Sequence, residues 1–404
     1  MTQLNRSISP LLLVLYGLGT IIGAGIYVLV GKVAGFAGAY TGFAFVIAAT
    51  VAGITGFTYA ELSSRFPQSG GAATFVLHAF QRQWLAALIG WLLVLTGIVS
   101  AATISRGVVG YMEYFVHLPS ELIIIGVIAV IGLIAIWGIK ESVIAAAIVT
   151  CLEVGGLILV ILVASPSFES ILSHSYTILP PTTASFWPGI FAGSFIAFYA
   201  FLGFEDMVNL AEEVVKPEKN MPRGIIIALV ISTILYLLVV LVALSSLPLK
   251  EFIASSAPMS ALLAKHGNLS HWMALISLIA ITNGALVQII MASRVIYGMA
   301  KQGSTIKWLG YVYPRTQTPV RATILVMIVI IVFALALPIT HLAQITSMLI
   351  LSIFTLINVS LIKVKHHQPE HPGYINLPIL VPILGIITCL SLIVMQLIFW
   401  LIIR

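Results

Sequence analysis

Charge is what this chain has least of. Only 8% of its 404 residues are Asp, Glu, Lys or Arg, while 60% are apolar and the mean hydropathy is +1.13. A soluble domain carries about 25% charged residues, so a water-facing surface of ordinary size cannot be built here. That excludes a soluble enzyme. The formal net charge of +6 does not revive a nucleic-acid reading, because the basic residues stand dispersed between apolar runs. Cysteine is scarce as well. Cys151 and Cys389 both lie inside apolar runs, where a thiol behaves as a small hydrophobe, and neither implies a disulfide or a metal. His366, His367 and His371 share one short polar loop beside prolines, and no metal site or other cofactor is expected from them. The apolar runs lack an HExxH motif or a nucleophile–base pair, which argues against an intramembrane enzyme. They also lack the filter or charged rings of a channel. No separate soluble domain, linker or low-complexity tract stands out.

What is present is a series of hydrophobic runs, each long enough for the roughly 20 residues that cross a bilayer. Eleven spans are expected: Leu11–Val33, Thr41–Ser63, Leu85–Val116, Leu122–Trp137, Ser142–Ala164, Phe186–Leu210, Ile225–Leu247, His271–Ala300, Ala322–Pro338, His341–Ile362 and Pro378–Ile403. The first run is too long for a signal core and has no cleavage-like end, so it is expected to be retained as a span. The third and eighth exceed what a bilayer needs and should tilt or protrude. With the N-terminus in the cytoplasm, thirteen Lys and Arg residues fall inside and four outside, the latter being Lys32, Lys250, Lys265 and Arg404. The positive-inside rule then favours that orientation, in the plasma membrane. Among the loops, Ala72–Gln83 has helical spacing, Ser165–Ser185 reads as a connector, and Ser255–His266 is expected to form a short helix capping a vestibule.

Two of the spans are broken in the middle, at Gly23-Ala24-Gly25 and around Tyr199-Ala-Phe-Leu-Gly203. Lipid tolerates irregular backbone only where it is buried in protein or lines a cavity. Paired interruptions at corresponding places in two halves of a chain point to a transporter's substrate site. At the first break the outer half-helix begins after Gly25, and its leading amides have no partner within the helix. Those amides and the positive dipole end suit a carboxylate. Gly23 and Gly25 permit the bend. The competing explanation is a glycine-rich packing face between helices. At the second break carbonyls are left free, and they suit an ammonium group.

Longer motifs surround the breaks. The first span reads Gly17-Leu-Gly-Thr-Ile-Ile-Gly-Ala-Gly-Ile-Tyr27, and the sixth reads Ala197-Phe-Tyr-Ala-Phe-Leu-Gly-Phe-Glu-Asp206. After the sixth comes Ala211-Glu-Glu-Val-Val-Lys-Pro-Glu-Lys-Asn-Met-Pro-Arg223. The eighth ends Ala292-Ser-Arg-Val-Ile-Tyr-Gly-Met-Ala-Lys-Gln-Gly303, with Thr318-Pro-Val-Arg-Ala-Thr323 in the next loop. In this order the motifs resemble the amino acid–polyamine–organocation superfamily of amino acid permeases, across the first ten spans. That family usually has twelve spans, and the absent one lies outside the transport core. The resemblance implies an all-α membrane protein with a LeuT-like fold, a 5+5 inverted repeat whose helices 1 and 6 are discontinuous. Residues 1–404 would form a single transport unit, with repeats over about 11–164 and 186–362 and an extra helix over 378–403.

The resemblance also implies site residues. The carbonyls of Ile21, Tyr199 and Leu202 would take the α-amino group of a free amino acid, and the amides of Ala24, Gly25 and Ile26, after the Gly23 bend, its carboxylate. Tyr199 holds the place of an aromatic outer gate, with simple bundle packing as the other explanation. Thr96, Gly97 and Ala101 match family positions that line the side-chain pocket. They are small and uncharged, which favours a neutral substrate; Glu205, beside the second break, argues the other way. Intramembrane ionisable groups are costly and functional by default, which makes Glu153 the coupling candidate. In cationic-transporter relatives a motif like Lys140-Glu-Ser142 is followed at this spacing by a lysine that stands in for sodium; here Glu153 takes its place. Proton binding and a structural hydrogen-bonding role are both open for Glu153, with sodium ligation a lesser third. Arg106 and Glu113 lie two turns apart on nearly one face, and Arg106 is expected to pair with an acid. Glu61 and Arg65 read as a helix-end ion pair, and Glu212, Glu213 and Glu218 with Lys216 and Lys219 as a solvated inner loop. Asn283 and Gln288 either line the cavity or bond between helices. The expectation is therefore a proton-coupled symporter of neutral L-amino acids working by alternating access, with exchange of amino acids or of cationic amino acids and polyamines as the alternative. The sequence leaves the oligomeric state open.

Overall fold

A serine starts the first helix. The Ser9 hydroxyl accepts from the Leu12 amide at 3.3 Å, and Pro10 occupies the first turn, where a missing N–H costs nothing. The computed structural model describes residues 6–138, 143–165, 173, 175–301, 303, 305–368 and 375–402. The Lys140-Glu-Ser142 motif, His371 and part of the 165–185 connector lie outside the described residues.

The first span is built from three helices: α1 (Pro10–Ile21), α2 (Ala24–Tyr27) and α3 (Val30–Ala37). Gly38, at φ +57°, turns the chain into α4 (Thr41–Arg65). The short surface helix α5 (Gly71–Phe80) follows, then α6 (Gln83–Met112), α7 (Ser120–Trp137) and α8 (Val143–Ala164). At 30 residues, α6 is about 45 Å long, more than a hydrocarbon core of about 30 Å. The sixth span begins as α9 (Trp187–Ala197), tightens into a 3-10 turn (Phe198–Phe201), breaks at Leu202-Gly203 and continues as 3-10 helix over Phe204–Glu213. Beyond it come α10 (Pro217–Ser246), the short α11 (Leu249–Ala254) and α12 (Pro258–Leu262), then α13 (Leu269–Lys301), α14 (Val320–Ala336), α15 (Ile339–His367) and α16 (Leu380–Ile402).

Among the described residues nine helical stretches are long and apolar enough to cross a membrane. One of them, Val30–Arg65, joins α3 to α4 across the Gly38 turn. The pieces α1 (12 residues) and α14 (17 residues) are shorter. The first is short because its span is broken, and the second covers about 25 Å. Each of the eleven expected spans is thus represented by helix.

The packing repeats with an offset of five spans. Second lies on seventh (α4 on α10), third on eighth (α6 on α13) and fourth on ninth (α7 on α14). Three further pairings come with their images. The pairing of α1 with α10 is matched by α9 with α4, that of α1 with α8 by α9 with α15, and that of α6 with α15 by α13 with α8. Exchanging each span with the one five later maps this set onto itself, as a 5+5 repeat requires. The eleventh helix, α16, packs on α15, α4 and α9. A buried polar cluster helps dock it: Thr58 donates to Asn358 Oδ1 at 2.6 Å, Asn358 Nδ2 donates to Thr55 at 3.2 Å, and Cys389 lies 3.6 Å from Thr55.

One end of the bundle gathers the basic loops. There Glu61, fully buried, bonds Arg65 at 2.8 Å and Lys365 at 2.7 Å, while its other oxygen accepts from the Leu377 amide at 3.0 Å. The helix-end pair read from the sequence is therefore part of a buried network joining α4, α15 and the segment before α16. Lys363 sits over the Phe80 ring, and Glu212 accepts from the Ser69 amide at 3.0 Å, so Glu212 is tied to its neighbours rather than simply solvated. Arg106 differs from expectation in its partner. Its guanidinium donates to the carbonyls of Ala334 and Leu335, because the end of α14 leaves carbonyls without helical partners and a negative dipole end.

Candidate functional site

The two breaks touch each other. A Cβ added to Gly25 would lie 2.2 Å from Ala200 Cα, so any side chain there forces the half-helices apart. Gly203 has φ +119°, and a Cβ on it would meet the Thr20 carbonyl oxygen at 2.1 Å; glycine is required on both counts. A residue from another span ties the breaks together. The Tyr236 hydroxyl of α10 lies 2.9 Å from the carbonyl oxygens of both Ile21 and Ala200, and its single proton is shared between them.

The free polar groups are where irregular backbone leaves them. After the first break the leading hydrogen bond runs from the Tyr27 amide to the Gly23 carbonyl at 3.1 Å. The amides of Ala24, Gly25 and Ile26 are thus the donors at the start of α2, which has no side-chain cap. At the second break the Tyr199 carbonyl accepts from the Leu202 amide at 3.3 Å, and the Gly203 amide donates to Glu205 Oε2 at 2.9 Å. Glu205 therefore serves the backbone of the break itself. Ile21, a predicted ligand, has its carbonyl in contact with Tyr236, which leaves one lone pair for a further donor.

A cavity of about 40 Å³ lies between the breaks. Its walls are residues 19–25, Tyr199, Leu202 and Asp206, with Ser100 and Ile104 from α6 and Gly284, Val287 and Gln288 from α13. Ile26 stands just beyond it and is fully buried. The predicted pocket residues of α6 lie elsewhere on that helix. Thr96 donates to the Leu92 carbonyl, Gly97 packs against Met291 and Gln288, and Ala101 is fully buried. Ser100 and Ile104 line the cavity instead. They follow Thr96 and Gly97 by three to eight residues, and helical spacing from Thr96 (i, i+4, i+8) would have found them.

One side of the cavity is closed. The Tyr199 hydroxyl is 2.8 Å from Ser100 Oγ, clasping the second break to α6. Farther out, the Tyr111 hydroxyl donates to the Tyr27 carbonyl. There the chain before α12 lies so close that a Cβ on Gly110 would meet the Ser256 carbonyl oxygen at 2.3 Å. The capping helix expected within Ser255–His266 is α12, joined by a 3-10 turn over Ala264–His266.

The other side opens toward the basic end. A second cavity of about 710 Å³ reaches from Glu205, Asp206 and Tyr59 to the Ser69–Thr74 turn and the ends of α6 and α13. Asp206 lines both cavities. It stands in the sixth-span motif, and nothing in its spacing separated it from Glu205.

Glu153 sits beside the first break on α8. It is fully buried, and among the described residues neither carboxylate oxygen has a hydrogen-bond partner. Its Oε2 lies 3.7 Å from where a Cβ on Gly19 would be, and the same Cβ would meet Thr150 at 2.1 Å. The missing side chain of Gly19 thus lets α8 bring the carboxyl against α1. The polar side chain that faces Glu153 is Asn283 of α13. Among the described residues Glu153 forms no ion pair, and no group of three or more metal-binding side chains is assembled.

Broken helices meeting at a cavity inside a membrane bundle, closed on one side and open on the other, define a transport protein. The comparisons with known proteins agree with that class: the chain matches the amino acid permease family over residues 8–401, and it belongs to that family. It is 31% identical over 413 residues to the branched-chain amino acid permease BcaP of Bacillus subtilis (strain 168), covering 97% of this chain and 88% of the relative. It is 30% identical over 404 residues to the mitochondrial cationic amino acid transporter 3 of Arabidopsis thaliana, with 93% of this chain covered but only 64% of that longer protein. The methylthioribose transporter of Bacillus subtilis (strain 168) is 29% identical over 412 residues, covering 96% and 87%.

Proposed function

We propose that this protein carries neutral L-amino acids across the cell membrane by alternating access, in symport with protons. The observation that carries the substrate reading is the wall of the small cavity. The breaks offer backbone donors and acceptors for the two ends of an amino acid, while the facing surface of Ser100, Ile104, Gly284, Val287 and Gln288 bears no charge. A cationic or acidic side chain buried against that surface would find no counterion on α6 or α13, at a cost of several kcal/mol; the charged residue of the lining, Asp206, belongs to the sixth span with the second break. Glu205 is engaged with the Gly203 amide, which weakens its claim as a substrate counterion. A relative named as a branched-chain permease and others named as cationic transporters match this chain about equally well, so identity alone does not choose between them; the uncharged surface of α6 and α13 favours the former.

At about 40 Å³ the cavity accommodates a few waters at most, so an amino acid enters only when the half-helices separate. In the proposed orientation the N-terminus and the basic end face the cytoplasm, and this conformation opens inward. The proton reading rests on Glu153, a buried carboxyl without an ion-pair partner among the described residues, set where α8 meets the broken helix. Binding a proton there neutralises a costly intramembrane charge and can be coupled to movement of α1 against α8.

Uptake of a labelled amino acid panel into proteoliposomes tests both parts, under an inward proton gradient, a sodium gradient, or amino acid inside. The expected result is accumulation of leucine-like substrates driven by protons, with little lysine or arginine uptake. Glu153→Gln is expected to retain exchange of substrate but lose proton-driven accumulation and its dependence on external pH. Uptake seen only with amino acid or polyamine inside identifies an exchanger and overturns the symport reading. An unchanged pH profile in the variant returns Glu153 to a structural role.

A further inference from the structure

Asp206 is the charged side chain on the boundary between the two cavities, and the mechanism above gives it no task. It lines the small cavity at the breaks and also the large cavity toward the basic end. Neighbouring Glu205 lines only the larger one and holds the Gly203 amide. Asp206 donates its backbone amide to the Gly203 carbonyl at 3.0 Å, while its side chain takes part in no ion pair among the described residues. It stands four residues beyond Leu202, on the 3-10 segment that leads from the second break to the basic end.

We propose that Asp206 is a second docking point for the ammonium group of the substrate, occupied between the backbone site and the basic-end vestibule. The inference rests on the amino acid reading above and adds a step to it. An ammonium group held by carbonyls at the break must give up charge–dipole contacts before it reaches bulk water. A carboxylate within the same passage supplies an opposite charge during that transfer, and hydrogen bonds between ionised groups are roughly twice as strong as neutral ones. The position matters as much as the charge: a carboxylate on the far wall of the vestibule would attract cations without touching the small cavity. Tyr59, whose hydroxyl is buried and has no hydrogen-bond partner among the described residues, belongs to the same vestibule wall. A substrate side chain placed against Ile104 and Val287 does not need this carboxylate, so the step serves neutral amino acids of any shape.

The test measures transport separately from each face, in vesicles of defined orientation. In Asp206→Asn the half-saturation concentration for a neutral amino acid presented at the basic end should rise about tenfold or more, the scale of one charge-assisted hydrogen bond. From the opposite face it should change less than about threefold. Asp206→Glu should restore most of the loss, because it keeps the carboxylate and borders open space. A 2-hydroxy acid analogue, which lacks the ammonium group, serves as the probe that a structural role would not distinguish: its inhibition constant at the basic end should be the same for wild type and Asp206→Asn. Equal effects at both faces, an equal effect on the hydroxy acid, or a loss confined to lysine and arginine would each overturn the proposal. If Asp206→Asn fails to fold, the Asp206→Glu comparison and the wild-type preference for amino acid over hydroxy acid at each face still decide it; no face difference counts against it. Failure of wild-type uptake tells against the amino acid reading itself, whereas working uptake with no face-dependent effect tells against Asp206 alone.

Discussion

At the scale of single residues, the groups that shape the backbone were legible and the groups that hold it were not. Glycines announce a bend by their type, so Gly23, Gly25 and Gly203 stand out in any apolar run. Their reasons differ on inspection: Gly25 admits Ala200, while Gly203 adopts φ +119°. Tyr236 carries no such signal, because a tyrosine within an apolar run has the spacing of ordinary packing. Only the fold brings its hydroxyl to the carbonyls of Ile21 and Ala200 at 2.9 Å each. Removing it leaves two buried acceptors without that donor, a loss of about 1–3 kcal/mol. Tyr236→Phe is therefore expected to fold, melt at a lower temperature in detergent, and transport about tenfold more slowly. The loss should fall on turnover and substrate affinity together, since the hydroxyl positions both breaks. Thermal unfolding with and without substrate, alongside initial uptake rates, measures it; wild-type rates in Tyr236→Phe would reduce the hydroxyl to packing.

At the scale of elements, periodicity and span length placed the helices well because lipid permits little else. Local conformation within the sixth span was less accessible. The sequence marks an interruption, but the continuation as ten residues of 3-10 helix, Phe204–Glu213, is longer than such helices usually run and depends on its packing against α1, α4, α5 and α10. The eleventh helix likewise looks peripheral in sequence, yet α16 is joined to α4 and α15 through Thr55, Asn358 and Cys389. Between helices in lipid there is little hydrophobic driving force, so close packing and polar contacts carry association. The Glu61 network is the clearest case here. Its carboxylate is fully buried between Arg65 and Lys365, and removing one member of a buried ionic group costs about 3–5 kcal/mol by leaving charge uncompensated. Glu61→Ala should lower the melting temperature sharply, and adding Lys365→Met to it should recover part of the loss by removing one stranded cation. If the double variant is no more stable than the single, the network is not acting through charge balance.

The whole molecule is asymmetric across the plane of the bilayer, and that asymmetry makes a claim about access. Exchanging spans by five maps the principal pairings onto one another, so the repeat by itself gives no reason for one end to be open. Yet the end with the basic loops holds a cavity of about 710 Å³, while the other is shut by the Tyr199–Ser100 contact and the chain before α12. Alternating access requires the reverse arrangement to form as well, with the half-helices rocking about a fixed site. Gly298 of α13 offers a probe. It lines the open cavity, and a Cβ there meets no atom within 4 Å, so Gly298→Cys should be tolerated. The native thiols give a manageable background, because Cys389 is buried and Cys151 lies on an exposed face of a spanning helix. In vesicles whose cytoplasmic face is outward, a membrane-impermeant thiol reagent should label Gly298→Cys readily, and labelling in the opposite orientation should be slow. Substrate supplied at the face opposite the reagent should recruit the reverse arrangement and slow the labelling several-fold, since a ligand shifts a conformational equilibrium only by its difference in affinity for the two states. Fast labelling from the non-cytoplasmic face would reverse the proposed orientation, and labelling indifferent to transported substrate would mean that this vestibule does not close during the cycle.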